Sequence, residues 1–133
     1  VFQGFPRIEL VDWEAVIAHG FAHAEAERWL QADSPRARFY QRISLQTRNW
    51  SADRRGDLWH SADALAMACA LQPEGATELL QRPVAVELAG ALTRGATVVD
   101  WNRQGGSPDN ATLLVRYDQA RFEGLIRAAL AAS

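Results

Sequence analysis

Asp63 stands near the head of an alanine-rich stretch, Ser61-Ala62-Asp63-Ala64-Leu65-Ala66-Met67-Ala68. Ser61 is a good helix cap and Pro73 a good stop, so the stretch predicts a helix from Asp63 to about Leu71. A carboxylate in the first turn of a helix can do one of two things. It can satisfy the free N–H groups and the dipole there, or it can be presented to a metal ion or a polar substrate. His19 and His23 are four apart, a spacing that puts two imidazoles on one helical face. Gly20 and Phe21 follow His19 where a metalloprotease helix needs its glutamate, so the two read as a surface pair on an amphipathic helix. Ser34, Ser44, Ser51 and Ser61 lack the glycine-flanked turn of a serine nucleophile. Gly105-Gly106 is not followed by the Lys and Ser or Thr of a phosphate loop.

Strands and helices alternate around these residues. Ile8 to Val11 suits a brief strand, and Asp12 caps a helix beginning near Trp13 with Glu14 in its first turn. Val16, Ile17, Phe21 and Ala24 continue at helical spacing, with Gly20 placed to divide that region. Asp33 or Ser34 before Pro35 restarts a helix, whose pattern of Phe39, Tyr40, Ile43 and Leu45 runs towards Trp50. Ser51 to Gly56 reads as a loop. Val84 to Leu88 alternates as a strand, Thr93-Arg94-Gly95 forms a turn, and Thr97 to Trp101 returns as a second strand. After the loop Gly105–Asp109, Ala111 to Val115 predicts a third strand. Asp118 then caps a last helix buried through Phe122, Leu125, Ile126 and Leu130.

Composition narrows the function classes. The 133 residues are 48% hydrophobic and 23% charged, as in one ordinary globular domain without an internal boundary. A net charge of −2 gives no basic surface for nucleic acid or for an anionic membrane. All 14 basic residues are arginine, which fits a bias in base composition better than a binding patch, since they are spread along the chain. The single Cys69 cannot form an internal disulfide and reads as a small buried hydrophobe. No run approaches the roughly 18 apolar residues of a membrane span, and the expected location is cytoplasmic. The five tryptophans read as core or interface anchors.

Several segments, in order, resemble the C-terminal portion of the inosine/uridine-preferring nucleoside hydrolase family. Phe5-Pro6-Arg7-Ile8-Glu9-Leu10-Val11-Asp12-Trp13-Glu14 is similar to its mid-chain strand, and Asp63 to Ala68 to its late metal-ligand segment. Leu92-Thr93-Arg94-Gly95 with Val98-Val99-Asp100-Trp101 is similar to its penultimate hairpin, and Asp118 to Phe122 to its terminal helix. The resemblance implies an α/β fold: the C-terminal part of an open, mainly parallel sheet with a β-hairpin and flanking helices. Residues 1–133 would be a partial domain without the N-terminal aspartate-rich half, as expected of a truncated sequence.

The implied activity is hydrolysis of the N-glycosidic bond of ribonucleosides, with bound calcium holding the ribose hydroxyls and activating water. Asp63 would be its one metal ligand in this chain. Many members place His, and some Trp, directly before that aspartate, where this chain has Ala62. His60 would then be the nearest candidate acid for the departing base, and Trp59 and Trp13 the candidate substrate-binding residues. The expected partners are a ribonucleoside and a second copy of the chain, with no nucleic acid and no membrane. The isolated chain would be weak or inactive, and the alternative is a non-catalytic interaction or scaffold module built on the same fold.

Overall fold

Local capping chemistry sets most of the element boundaries. The computed structural model describes residue 2 and residues 4–132. Strand β1 (Glu9–Leu10) leads into helix α1 (Trp13–Ala18), where the Asp12 carboxylate accepts the Ala15 N–H at 2.9 Å. Gly20 divides the region as predicted. Phe21 lies in a two-residue strand, β2 (Phe21–Ala22), before helix α2 (His23–Trp29).

Ser34 caps α3 (Pro35–Arg55), its hydroxyl accepting the Ala37 N–H at 2.9 Å. Residues 51–55, expected in a loop, continue this helix, and Gly56 ends it with φ +82°. Ala52, Arg54 and Arg55 are strong helix formers, and the two arginines suit the negative end of the dipole. Strand β3 (Leu58–Trp59) pairs antiparallel with β2. It leads to α4 (Ala62–Leu71) and a 3₁₀ turn (Pro73–Gly75).

The main sheet has the order β1-β7-β4. Central β7 (Ala111–Tyr117) pairs parallel with β1 and antiparallel with β4 (Ala76–Arg82). The expected hairpin is present as β5 (Val84–Val86) and β6 (Thr97–Val99). Helix α5 (Gln119–Ala131) closes the chain, with the Asp118 carboxylate accepting the Arg121 N–H at 3.0 Å. The architecture is mixed α/β with flanking helices. Strand β4 escapes the sequence reading because Glu78-Leu79-Leu80-Gln81 lacks β-branched residues and alternation. Its pairing with β7 overrides that local preference.

The core forms where α1, α4 and α5 meet β7, around Val16, Leu65, Leu114, Tyr117 and Phe122. At Gly75 no side chain fits, since a Cβ there would sit 2.3 Å from the Tyr117 ring. That approach lets the Tyr117 hydroxyl donate to the Gln72 carbonyl at 2.9 Å.

Two further sequence expectations are corrected by the packing. His19 and His23 are not a surface pair on one helix: His19 ends α1, His23 begins α2, and His19 is only 4% exposed. The Tyr117 N–H donates to His19 Nε2 at 2.9 Å, which leaves the proton on Nδ1 to be donated to the Ala15 carbonyl at 2.7 Å. His19 therefore ties α1 to the central strand. The second correction concerns α3, whose expected apolar stripe faces outward. Phe39, Ile43, Leu45 and Trp50 are exposed and Tyr40 is half-buried, while Ala37, Ser44, Arg48 and Ser51 are buried.

Cys69 packs half-buried against the core, as read from the sequence. Burial, with the Glu9 carboxylate as a smaller contributor, pushes its thiol above the ordinary range.

Candidate active site

The N-terminus of α4 opens onto a cleft bounded by α2, α3, β3 and α5, with a volume of about 380 Å³. Its walls are aromatic and aliphatic: Phe21, Trp29, Tyr40, Trp59, Leu30, Ile126 and Leu130. Ser61, Asp63 and Arg48 supply the polar groups. An apolar cleft of this size with few polar groups is the usual form of a small-molecule site.

Asp63 lies exposed in the first turn of α4. Leu65 and Ala68 on the same helix are buried in the core and fix α4 in place. The Ser61 carbonyl accepts the Leu65 N–H at 3.2 Å, but its hydroxyl makes no capping bond. Trp59 is held in β3 opposite Phe21, 9% exposed, with its ring centroid 6.5 Å from that of His23. Trp59 and Asp63 thus share one cleft.

His60 and Trp13 fall elsewhere. Their rings lie 6.1 Å apart, and neither residue lines the cleft. His60 packs over Gly20 so closely that a Cβ there would come within 2.8 Å of Nε2. Trp13 is 46% exposed, and the Arg55 guanidinium stands over both its ring, at 4.8 Å, and that of Trp50, at 5.0 Å.

Sequence reasoning missed Arg48, a buried cation on the cleft at 3% exposure. Its Nε donates to Ser44 Oγ at 3.0 Å and its Nη2 to the Gln41 carbonyl at 3.4 Å. Its Nη1 forms an ion pair with the Glu27 carboxylate, which ties α3 to α2. Burial lowers its pKa from the usual value, yet an arginine remains charged. The signal was the polar spacing Ser44, Arg48, Ser51 on one side of α3. The apolar spacing of Phe39, Ile43 and Trp50 obscured it, because an apolar stripe is normally the buried one.

A calcium ion takes about six to eight oxygen ligands. Among the described residues, no three His, Cys, Asp or Glu side chains gather to hold a metal. Among the described residues Asp63 stands without such a set gathered beside it, which does not fit that demand.

No curated protein matches the chain. Solved nucleoside hydrolase structures share its fold, three of them as follows. An inosine-guanosine nucleoside hydrolase is 24% identical with a TM-score of 0.78, over 94% of this chain and 39% of that one. A plant nucleoside hydrolase is 18% identical with a TM-score of 0.78, over 96% and 42%. A purine-preferring ribonucleoside hydrolase from Gardnerella vaginalis is 18% identical with a TM-score of 0.64, over 94% and 40%. The chain therefore spans about two fifths of the solved structures it matches. The family model described as inosine-uridine preferring nucleoside hydrolase matches residues 1–124. With nearly the whole chain matched, this protein belongs to the inosine-uridine preferring nucleoside hydrolase family.

Proposed function

We propose that this chain forms the C-terminal wall of a site that hydrolyses the N-glycosidic bond of ribonucleosides. The observation that carries the reading is the meeting of Asp63 with an aromatic-walled cleft at the mouth of α4, in a chain of this family. An aromatic wall suits a flat heterocycle, and a carboxylate at the rim suits the hydroxyls of a sugar. Asp63 would be one ligand of the family's calcium, the remaining ligands coming from residues outside this chain. The location proposed from the sequence remains cytoplasmic.

The test is an assay of the purified chain with inosine and uridine, together with calcium titration of the chain and of Asp63→Ala. With one carboxylate in place of about six to eight oxygens, we expect no hydrolysis above the uncatalysed rate and no calcium binding tighter than millimolar. Steady turnover, or tight calcium binding abolished by Asp63→Ala, would show that the chain completes the site unaided and overturn the reading of a shared one.

One observation favours the second reading, an interaction module. Helix α3 turns Phe39, Ile43 and Trp50 outward, and α4 and β4 expose Met67, Leu71 and Leu79. Scattered apolar residues are ordinary, but rows of them on packed elements mark surfaces that another chain covers. Light scattering that finds a dimer would support self-association.

A further inference from the structure

We propose that the outward side of α3 seats the chain on an anionic lipid surface. The inference stands apart from the ribonucleoside reading and uses a part of the molecule that reading leaves idle.

Helix α3 lies on the surface with most of its girth in solvent. Of its 21 residues, Ala37, Ser44, Arg48 and Ser51 are buried and Tyr40 is half-buried, all along one side, and the others are exposed. At about 3.6 residues per turn, Phe39, Ile43 and Trp50 fall within about 40° of one another on the opposite side. They are 64%, 58% and 47% exposed, a row of large apolar groups left in solvent.

The same helix gathers positive charge. It carries six of the chain's 14 arginines and a single acid, Asp53, for a local charge of +5. Two of the six are answered close by, since Arg38 pairs with Asp33 and the buried Arg48 with Glu27. A third, Arg55, stands over the Trp13 and Trp50 rings. Arg36, Arg42 and Arg54 are exposed and form no ion pair among the described residues. Arg36 and Arg54 flank the apolar row on one side and Arg42 flanks it on the other. A net charge of −2 averages this concentration away, and the expectation of no membrane partner rested on that average.

The charge pattern selects the occupant. Cations on both sides of an apolar row complement a surface that is negative outside with hydrocarbon just beneath, which is a bilayer with acidic headgroups. The guanidinium groups meet the headgroups while Phe39, Ile43 and Trp50 enter the boundary with the acyl chains. A protein groove that wraps an amphipathic helix fits less well. Helix α3 is already packed along its far side against α2, β3 and α5, and it has only an outer face to offer. No helix among the described residues is long and apolar enough to cross a membrane, so α3 would lie along one.

The test is co-sedimentation of the full chain with vesicles of phosphatidylcholine alone, or of phosphatidylcholine and phosphatidylserine in equal parts. We expect binding to the second kind only, lost in molar salt, where charges are screened beyond about 3 Å. Each arginine near such a surface is worth about fivefold in affinity, so Arg36→Gln, Arg42→Gln and Arg54→Gln together should weaken binding about a hundredfold. Phe39→Ser with Ile43→Ser should weaken it about tenfold. All five positions are exposed, so the variants should keep the fold, which circular dichroism checks.

The comparison of the two vesicles with the wild-type chain decides the matter even if a variant unfolds. Equal binding to both, no binding to either, or anionic binding unchanged in the triple arginine variant overturns the proposal. Binding to polyglutamate with none to vesicles would assign the face to an acidic polymer and overturn the lipid reading as well. A dimer that covers the row and leaves the vesicles unbound does the same. None of these results bears on nucleoside binding in the cleft, which stands or falls by its own assay.

Discussion

Phe122→Ala should cost about 4 kcal/mol of folding stability, the usual range for emptying a buried aromatic site. Phe122 is 1% exposed, and its ring centroid lies 4.9 Å from that of Phe21 and 6.3 Å from that of Tyr117. It is the point where α5 meets the β2 end of the cleft and the central strand. A domain of this size is stable by only about 5–15 kcal/mol, so the loss would remove a large share of the total. The measurement is the midpoint of urea unfolding, which should fall with little change in slope. A shift equivalent to less than about 1 kcal/mol would mean that the site collapses around the gap, and that α5 is not anchored as described.

His19→Leu is expected to be nearly as damaging, for a different reason. Leucine fills most of the space but can neither accept the Tyr117 N–H nor donate to the Ala15 carbonyl. Both groups are buried, and each unsatisfied partner costs about 1–3 kcal/mol. We expect a total loss of about 3 kcal/mol, together with faster amide exchange at Tyr117. A variant with wild-type stability would show that water or a shifted backbone takes over both bonds.

These two residues mark where the sequence was readable and where it was not. Phe122 lies on an apolar stripe behind a capping aspartate, and both signals are local. Asp12, Ser34 and Asp118 were legible for the same reason, since a cap and its N–H partner are three residues apart. The β5–β6 hairpin was legible from its alternation and its turn residues. His19 was not, because its partner Tyr117 is distant in the chain and no local rule distinguishes a buried histidine from a surface one. Strand β4 and the inverted face of α3 depend likewise on what packs against them.

The site divides in the same way. Asp63 was proposed through the resemblance of its segment, and Trp59 through its nearness to Asp63. Arg48 entered only through the fold, which lays the polar side of α3 along the cleft.

The most direct test of the central claim is to follow inosine binding by NMR, through the backbone amides and the tryptophan indole signals. If the cleft at the mouth of α4 is the nucleoside site, saturable shifts should appear at Trp29, Trp59 and Asp63 and leave the hairpin groove around Val86, Val98 and Asp100 unmoved. Shifts confined to that hairpin groove, or no saturable shift at all, would contradict it.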